Sequence, residues 1–198
     1  PISAPYSIFK GIKKLLPGTF LKFSLSNTSV SQRELPKPQR YWSFAEVANS
    51  GVESRFVGSE SSAVSELDRL LSRSVTEQMV ADVPLGAFLS GGVDSSLVVA
   101  LMQKQSPVPV KTFSIGFNET GYDEAIYAKE VASHLRTDHT ELYVTAQQAM
   151  DVIHRLPQLY DEPFSDSSQI PTFLVSEMTH KNVKVSLSGD GGDELFGG

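Results

Sequence analysis

The sequence predicts an α/β fold, a parallel sheet with flanking helices, and three observations carry that expectation. From Glu60 onward, short apolar runs alternate with stretches of helical periodicity, the pattern of strands and covering helices in turn. Two of the apolar runs pass straight into loops of Gly, Ser and Asp. The composition also suits a core: 40% of the 198 residues are apolar, 9% aromatic and 20% charged.

Residues 1–43 have strand and turn character. Leu16-Pro17-Gly18-Thr19 is a turn signal, and residues 20–25 alternate as a half-buried strand does. Residues 26–39 are polar, with Pro36 and Pro38, and read as an exposed loop. Tyr41-Trp42-Ser43-Phe44 reads as an aromatic clump that docks this arm and plugs an interdomain seam. Ser- and Gly-rich residues 49–62 read as a linker. The expected organisation is therefore an arm over 1–43, a linker over 44–59 and a main domain over 60–198.

In the main domain, Val64, Leu67, Leu70, Leu71, Val75 and Met79 recur at helical spacing. Strands are expected at 85–89, 112–117, 141–144 and 183–187. Helices are expected at 93–103, 124–134 with Asp123 as N-cap, 146–155, and 168–179 with Asp166 at its start.

Charge and composition exclude several functions. Seventeen Lys+Arg against 23 Asp+Glu leave −6, without the basic patch of a nucleic-acid footprint. The longest apolar run, residues 97–102, falls far short of the ~20 residues that span a bilayer. Neither nucleic acid nor membrane is an expected partner. Cysteine is absent, which removes disulfides, thiolate zinc sites and a Cys nucleophile from this chain. A reducing, cytoplasmic setting fits. The missing initiator Met, and an end on Gly197-Gly198 after apolar Leu195-Phe196, read as an internal piece of a longer protein.

The most informative stretch is residues 85–97, an apolar run followed by Ser90-Gly91-Gly92 and then a helical Val93-Asp94-Ser95-Ser96. Glycines let backbone approach an anion closely, and the free N–H groups of a helix's first turn point at it. The hydroxyls of Ser90, Ser95 and Ser96 add donors. Asp94 would repel a bare phosphate, but it makes sense as a ligand of Mg²⁺ bridging phosphate oxygens. No Lys follows the glycines, so this is not a Walker A loop, and G-x-G-x-x-G is not met. A plain strand-to-helix turn with Ser and Asp caps does not require two glycines and three hydroxyls.

A second loop repeats the logic. Strand 183–187 leads into Ser188-Gly189-Asp190-Gly191-Gly192-Asp193-Glu194, three acids on a glycine-rich turn at the strand end where open α/β sheets bind ligands. The spacing does not fit an EF-hand. The four histidines, His134, His139, His154 and His180, lack ligand spacing and read as surface or cap residues. Tyr122-Asp123-Glu124 reads as a helix start.

These residues carry a family resemblance. Ser90-Gly91-Gly92-Val93-Asp94-Ser95 resembles the SGGxDS pyrophosphate loop of the ATP pyrophosphatase superfamily, whose members split ATP into AMP and pyrophosphate. Residues 188–198 are similar to the second signature of glutamine-hydrolysing asparagine synthetases. Tyr160-Asp161-Glu162-Pro163-Phe164, Asp166-Ser167-Ser168 and Ile170-Pro171-Thr172 resemble the segment before it. Residues 5–18 and Tyr41-Trp42 are similar to the last stretch of that family's N-terminal glutaminase domain and the exit from it.

The resemblance implies an adenine-nucleotide α-hydrolase-like, Rossmann-like domain, truncated here and preceded by the β-rich tail of an N-terminal-nucleophile glutaminase domain. It implies that Leu89, Ile115, Ser188 and Gly189 line the AMP part of ATP, and that Ser90, Gly91, Gly92, Asp94, Ser95 and Ser96 cradle pyrophosphate. Asp94 and Asp193 would share Mg²⁺. Asp190, where many members carry Glu, would face the reacting carboxylate or incoming ammonia as the catalytic residue, a proton acceptor. The implied reaction joins aspartate, ATP and ammonia from glutamine into asparagine, AMP and pyrophosphate through an acyl-adenylate. The family's Cys nucleophile lies outside this piece, and a homodimer is the assembly considered. Alternatives are the same fold acting on another carboxylate, as in surface-polysaccharide or antibiotic pathways, and a non-catalytic nucleotide-binding module.

Overall fold

The computed structural model describes residues 2–23, 36–117, 124–163 and 165–197. The chain divides into two compact units, Pro1–Ser59 with Tyr160–Ser165, and Glu60–Leu159 with Asp166–Gly198.

In the first unit, β1 (Thr19–Phe20) pairs antiparallel with β2 (Gln39–Arg40). The turn before β1 needs Gly18: its φ is +67°, and a Cβ there would stand 2.2 Å from the Trp42 carbonyl oxygen. The aromatic clump packs inside this unit, Tyr41 against Phe20 at 6.4 Å and Trp42 against Phe44 at 6.2 Å between ring centres. Lys14 pairs with Glu162 and also donates to the Ile2 carbonyl at 2.7 Å. The strand expected over 20–25 is cut to β1. Its last residues, and most of the expected polar loop, lie outside the described residues.

Residues 44–53, which their composition marks as linker, are helical instead: α1 (Phe44–Glu53). The reason is local. Ser43 takes an extended N-cap conformation and accepts the Glu46 N–H at 3.4 Å, and the Glu46 charge complements the helix N-terminus. Those contributions outweigh Ser50 and Gly51 near the far end.

The second unit opens with α2 (Glu60–Gln78), then alternates β3 (Leu85–Phe88), α3 (Val93–Gln105), β4 (Lys111–Phe117), α4 (Ala125–Leu135) and β5 (Asp138–Val144). Helices α5 (Ala146–Ile153), α6 (Leu156–Leu159) and α7 (Gln169–His180) lead to β6 (Val185–Leu187) and α8 (Gly192–Phe196). The sheet order is β5-β4-β3-β6, and every pair is parallel. Short caps and turns hold the elements in place. Thr145 and Gln148 form a reciprocal capping box on α5, and Arg136 ends α4 in the left-handed region at φ 57°. Asp123, expected to cap α4, lies outside the described residues.

Both faces of the sheet are covered, which explains why β3 and β4 read as near-continuous apolar runs. On one side Ala87 and Leu89 meet Val99, Met102, Val75 and Ala128. On the other, Phe113 packs with Val175, Met178 and Val183. Helix α2 buries Val75 but leaves Val64 exposed, so only its C-terminal half belongs to the core. Among the described residues, no helix is long and apolar enough to cross a membrane.

Phe113, 1% exposed, is the largest fully buried side chain in the described core. Phe113→Ala should lower the free energy of unfolding by about 3–5 kcal/mol. Val64→Ala should change it by less than about 0.5 kcal/mol. Urea unfolding of the two variants beside the parent protein checks this.

Candidate functional site

The strand order fixes where a ligand can enter. The chain steps outward from β3 to β4 to β5, then returns past β3 to add β6 on its other side. The switch between β3 and β6 leaves a crevice at the strands' C-terminal ends, beside the loops leading to α3 and α8. An open cleft of about 1010 Å³ occupies that position.

The β3–α3 loop is built almost wholly of backbone. Gly91, at φ +82°, packs on the start of α4, where a Cβ would lie 2.6 Å from Tyr127 Cβ and 2.7 Å from the Ala128 nitrogen. Gly92 takes the N-cap position of α3 with no side chain to satisfy the first-turn N–H groups. The Ser95 hydroxyl turns inward, 2.9 Å from Ser90 Oγ and within bonding distance of the Ser90 N–H at 3.2 Å. Ser95 thus braces the loop. Leu89, Ser90, Gly92, Asp94 and Ser95 line the cleft, whereas Gly91 and Ser96 do not. The Ser96 hydroxyl is buried with no hydrogen-bond partner among the described residues.

The β6–α8 loop meets it face to face. A Cβ on Gly189 would stand 2.7 Å from the Ser95 nitrogen, and one on Gly192 would stand 2.4 Å from Asp94 Cγ. Only hydrogens fit between these backbones and the start of α3. Ser188 donates from its hydroxyl to Asp190 Oδ2 at 2.9 Å, which holds that exposed carboxylate over the loop. Ser188, Gly189, Asp190 and Asp193 all line the cleft.

Ile115 supplies a third edge. The Leu89 N–H donates to the Phe113 carbonyl at 2.9 Å, the end of the β3–β4 ladder. Residues alternate between neighbours along a parallel strand, so Ile115 presents its backbone on the same side, beyond the last β3 partner. The sequence reading missed the opposite wall, formed by Ser168, Pro171, Thr172 and Val175 of α7. Their spacing on one helix face was the available signal. Asp166 sits just before this helix and accepts from the Ser168 N–H at 2.8 Å and its hydroxyl at 2.7 Å. Those bonds hold its carboxyl below the usual range.

His139 corrects the surface-or-cap reading. It is half-buried on β5, its Nδ1 2.9 Å from Thr112 Oγ1 and its Nε2 3.2 Å from Ser114 Oγ. Burial pushes its pKa below the ordinary value, against the opposing pull of Glu141. The other three histidines are exposed, at or near the ends of α4, α5 and α7.

Charge decides which ligands the cleft can take. Asp94, Glu124, Asp190, Asp193 and Glu194 line it, and none of the described lining residues is Lys, Arg or His. A bare polyphosphate would be repelled, so an anionic ligand needs a divalent cation with it. Among the described residues, no three acids or histidines cluster tightly enough to cage an ion. The donor set suits Mg²⁺, which takes one or two carboxylates and completes its shell with water and phosphate oxygens.

Comparison with known proteins agrees with this geometry. Residues 66–198, most of the chain and all of both cleft loops, match the model of asparagine synthase. The chain belongs to the asparagine synthase family. A putative asparagine synthetase [glutamine-hydrolyzing] 2 of Methanocaldococcus jannaschii is 41% identical across the whole chain, which covers 36% of that relative. Asparagine synthetase [glutamine-hydrolyzing] 1 of Bacillus subtilis is 38% identical over 70% of the chain and 22% of the relative. Asparagine synthetase B of Escherichia coli is 34% identical over 67% and 26% respectively. The chain thus spans about a quarter to a third of the length of these family members. Among solved structures, an NH3-dependent NAD synthetase from Campylobacter jejuni aligns over 66% of this chain and 58% of its own, with a TM-score of 0.46 and 12% identity.

Two expectations concern stability. Gly189→Ala sets a methyl group 2.7 Å from the Ser95 backbone nitrogen, which cannot rotate away, and should cost about 1–3 kcal/mol. Gly51→Ala, in α1 with open space around it, should be neutral or stabilise by up to about 1 kcal/mol. Urea titrations should return opposite signs. For pH, folding favours neutral His139, so its contribution is complete above the unfolded value near 6.5. That contribution is lost as pH falls through 6.5 toward the lower folded value. The melting temperature should therefore drop less between pH 7 and pH 5 in His139→Gln than in the parent protein, which scanning calorimetry at each pH reads directly.

Proposed function

We propose that this chain is the ATP-binding front of an amide-forming ligase that makes asparagine from aspartate through an acyl-adenylate. One observation supports the reading most: two glycine-acid loops meet across the β3–β6 switch with Gly192 against the Asp94 carboxylate. The loops lie in the part of the chain that matches the asparagine synthase model.

A carboxylate is a poor acyl donor and needs a better leaving group before ammonia can displace it. In the proposed first step the aspartate carboxylate attacks the α-phosphorus of ATP and pyrophosphate departs. The first turn of α3, which begins at Gly92 without a side-chain cap, would offer backbone N–H groups to the departing charge, with Ser90 and Ser95 bracing the loop ahead of it. Leu89, Ile115 and the Ser188–Gly189 backbone would bound the AMP part. Asp94 and Asp193 would hold Mg²⁺, which when bound offsets charge on the phosphate oxygens.

In the second step ammonia attacks the acyl-adenylate and AMP leaves. Asp190, tethered by Ser188 at the cleft rim, would take a proton from the attacking nitrogen. Walls from α7 and β4 would keep water from the adenylate. We further propose that residues 1–43 are the tail of a glutaminase domain supplying the ammonia, with its Cys nucleophile outside this chain.

The test uses the full-length protein with ATP, Mg²⁺ and ammonia, with and without aspartate, following AMP, pyrophosphate and asparagine together. All three should appear in step, and Asp94→Ala should slow them by at least about 10²-fold. AMP and pyrophosphate formed only with a different carboxylate would keep the chemistry and change the substrate. ADP in place of AMP would overturn the mechanism.

A further inference from the structure

Behind the cleft lies a chain of bonded polar groups that the proposed chemistry does not use. Thr137 Oγ1 and Thr112 Oγ1 are 2.8 Å apart, Thr112 Oγ1 meets His139 Nδ1, and His139 Nε2 meets Ser114 Oγ. Thr112 and Ser114 are 0% and 3% exposed, one residue apart on the same face of β4. Buried hydroxyls cost stability unless bonded, and here one imidazole on the neighbouring strand bonds both.

Ser114 is the member of this chain that reaches the cleft, and its neighbour Ile115 carries the open backbone edge of β4. A neutral imidazole has one donor nitrogen and one acceptor nitrogen. The hydroxyls of Thr112 and Ser114 must therefore meet it with opposite polarity. His139 thus determines both where Ser114 sits and which way its proton points.

We propose that His139 is a positioning residue of the cleft. By clamping Thr112 and Ser114 it holds the Ser114–Ile115 edge of β4 in register for the base of a bound adenine nucleotide. The inference rests on the nucleotide reading of the cleft. Surroundings of His139 agree with the role: burial favours the neutral ring, and the nearby charges, Glu141 on β5 and Lys129 on α4, pair with each other at 3.2 Å.

The experiment measures the Kd of Mg·ATP by titration calorimetry in the full-length protein, with kcat, KM and melting temperature alongside. His139→Leu fills the space without bonding and should weaken ATP binding about tenfold, with kcat at saturating ATP changed by less than about threefold. His139→Gln keeps a donor and an acceptor and should recover binding to within about threefold of the parent. Ser114→Ala should match His139→Leu, and the double variant should be no worse than either single one, because both remove the same contact. If His139→Leu does not fold, Ser114→Ala and His139→Gln test the contact by themselves.

An unchanged Kd in folded variants, with only the melting temperature lowered, would overturn the proposal. So would additive losses in the double variant. A parent protein that binds no ATP would instead sink the nucleotide reading itself, and this inference with it.

Discussion

Everything about the cleft depends on how closely two backbones approach each other. The α8 side of the crevice lies against the first turn of α3 with no room for a methyl group at Gly189 or Gly192. That contact places the Asp94 carboxylate beside the β6–α8 loop, at the start of α3 where no side chain caps the first-turn N–H groups. A side chain at either glycine would separate the loops, and the acids would then face water individually. The parallel register of β3 with β6 makes this approach possible, since both strands end at the same level and release their loops together.

The same crevice carries an electrostatic constraint. Five carboxylates line it with no described basic lining residue beside them, so a polyanion entering it meets like charge. Among the described residues no third acid or histidine clusters with them, so a cation held there would keep coordination positions for something else. The two facts together describe half of a binding site whose other half is the ligand's own oxygens.

Much of the sheet was legible in the sequence because parallel strands covered on both faces leave near-continuous apolar runs, as residues 85–89 and 112–117 do. Glycine-acid loops were legible because few other structures require Ser-Gly-Gly before Asp-Ser-Ser, or six glycines and acids in succession. His139 was not legible. Its role comes from cross-strand registry with Thr112, a long-range property that no spacing along one strand encodes. Helix α1 was misread because Ser and Gly near its end resemble linker composition, whereas Ser43, which starts it, sits outside the compositional window. The α7 wall was overlooked because Thr172 and Val175 look like ordinary amphipathic core until the sheet is in place behind them.

The pairing of β3 with β6 also has a consequence for how the protein is made. Leu85 pairs with Val185, so the strand beside β3 is synthesised after β4 and β5. A growing chain can assemble β3, β4 and β5 with their helices while the crevice still lacks one bank. During that interval β3 has an unsatisfied edge, and Gly86 and Ala87 lie open to foreign strands. The second bank of the crevice and the glycine contact that joins it to α3 therefore arrive together, with β6.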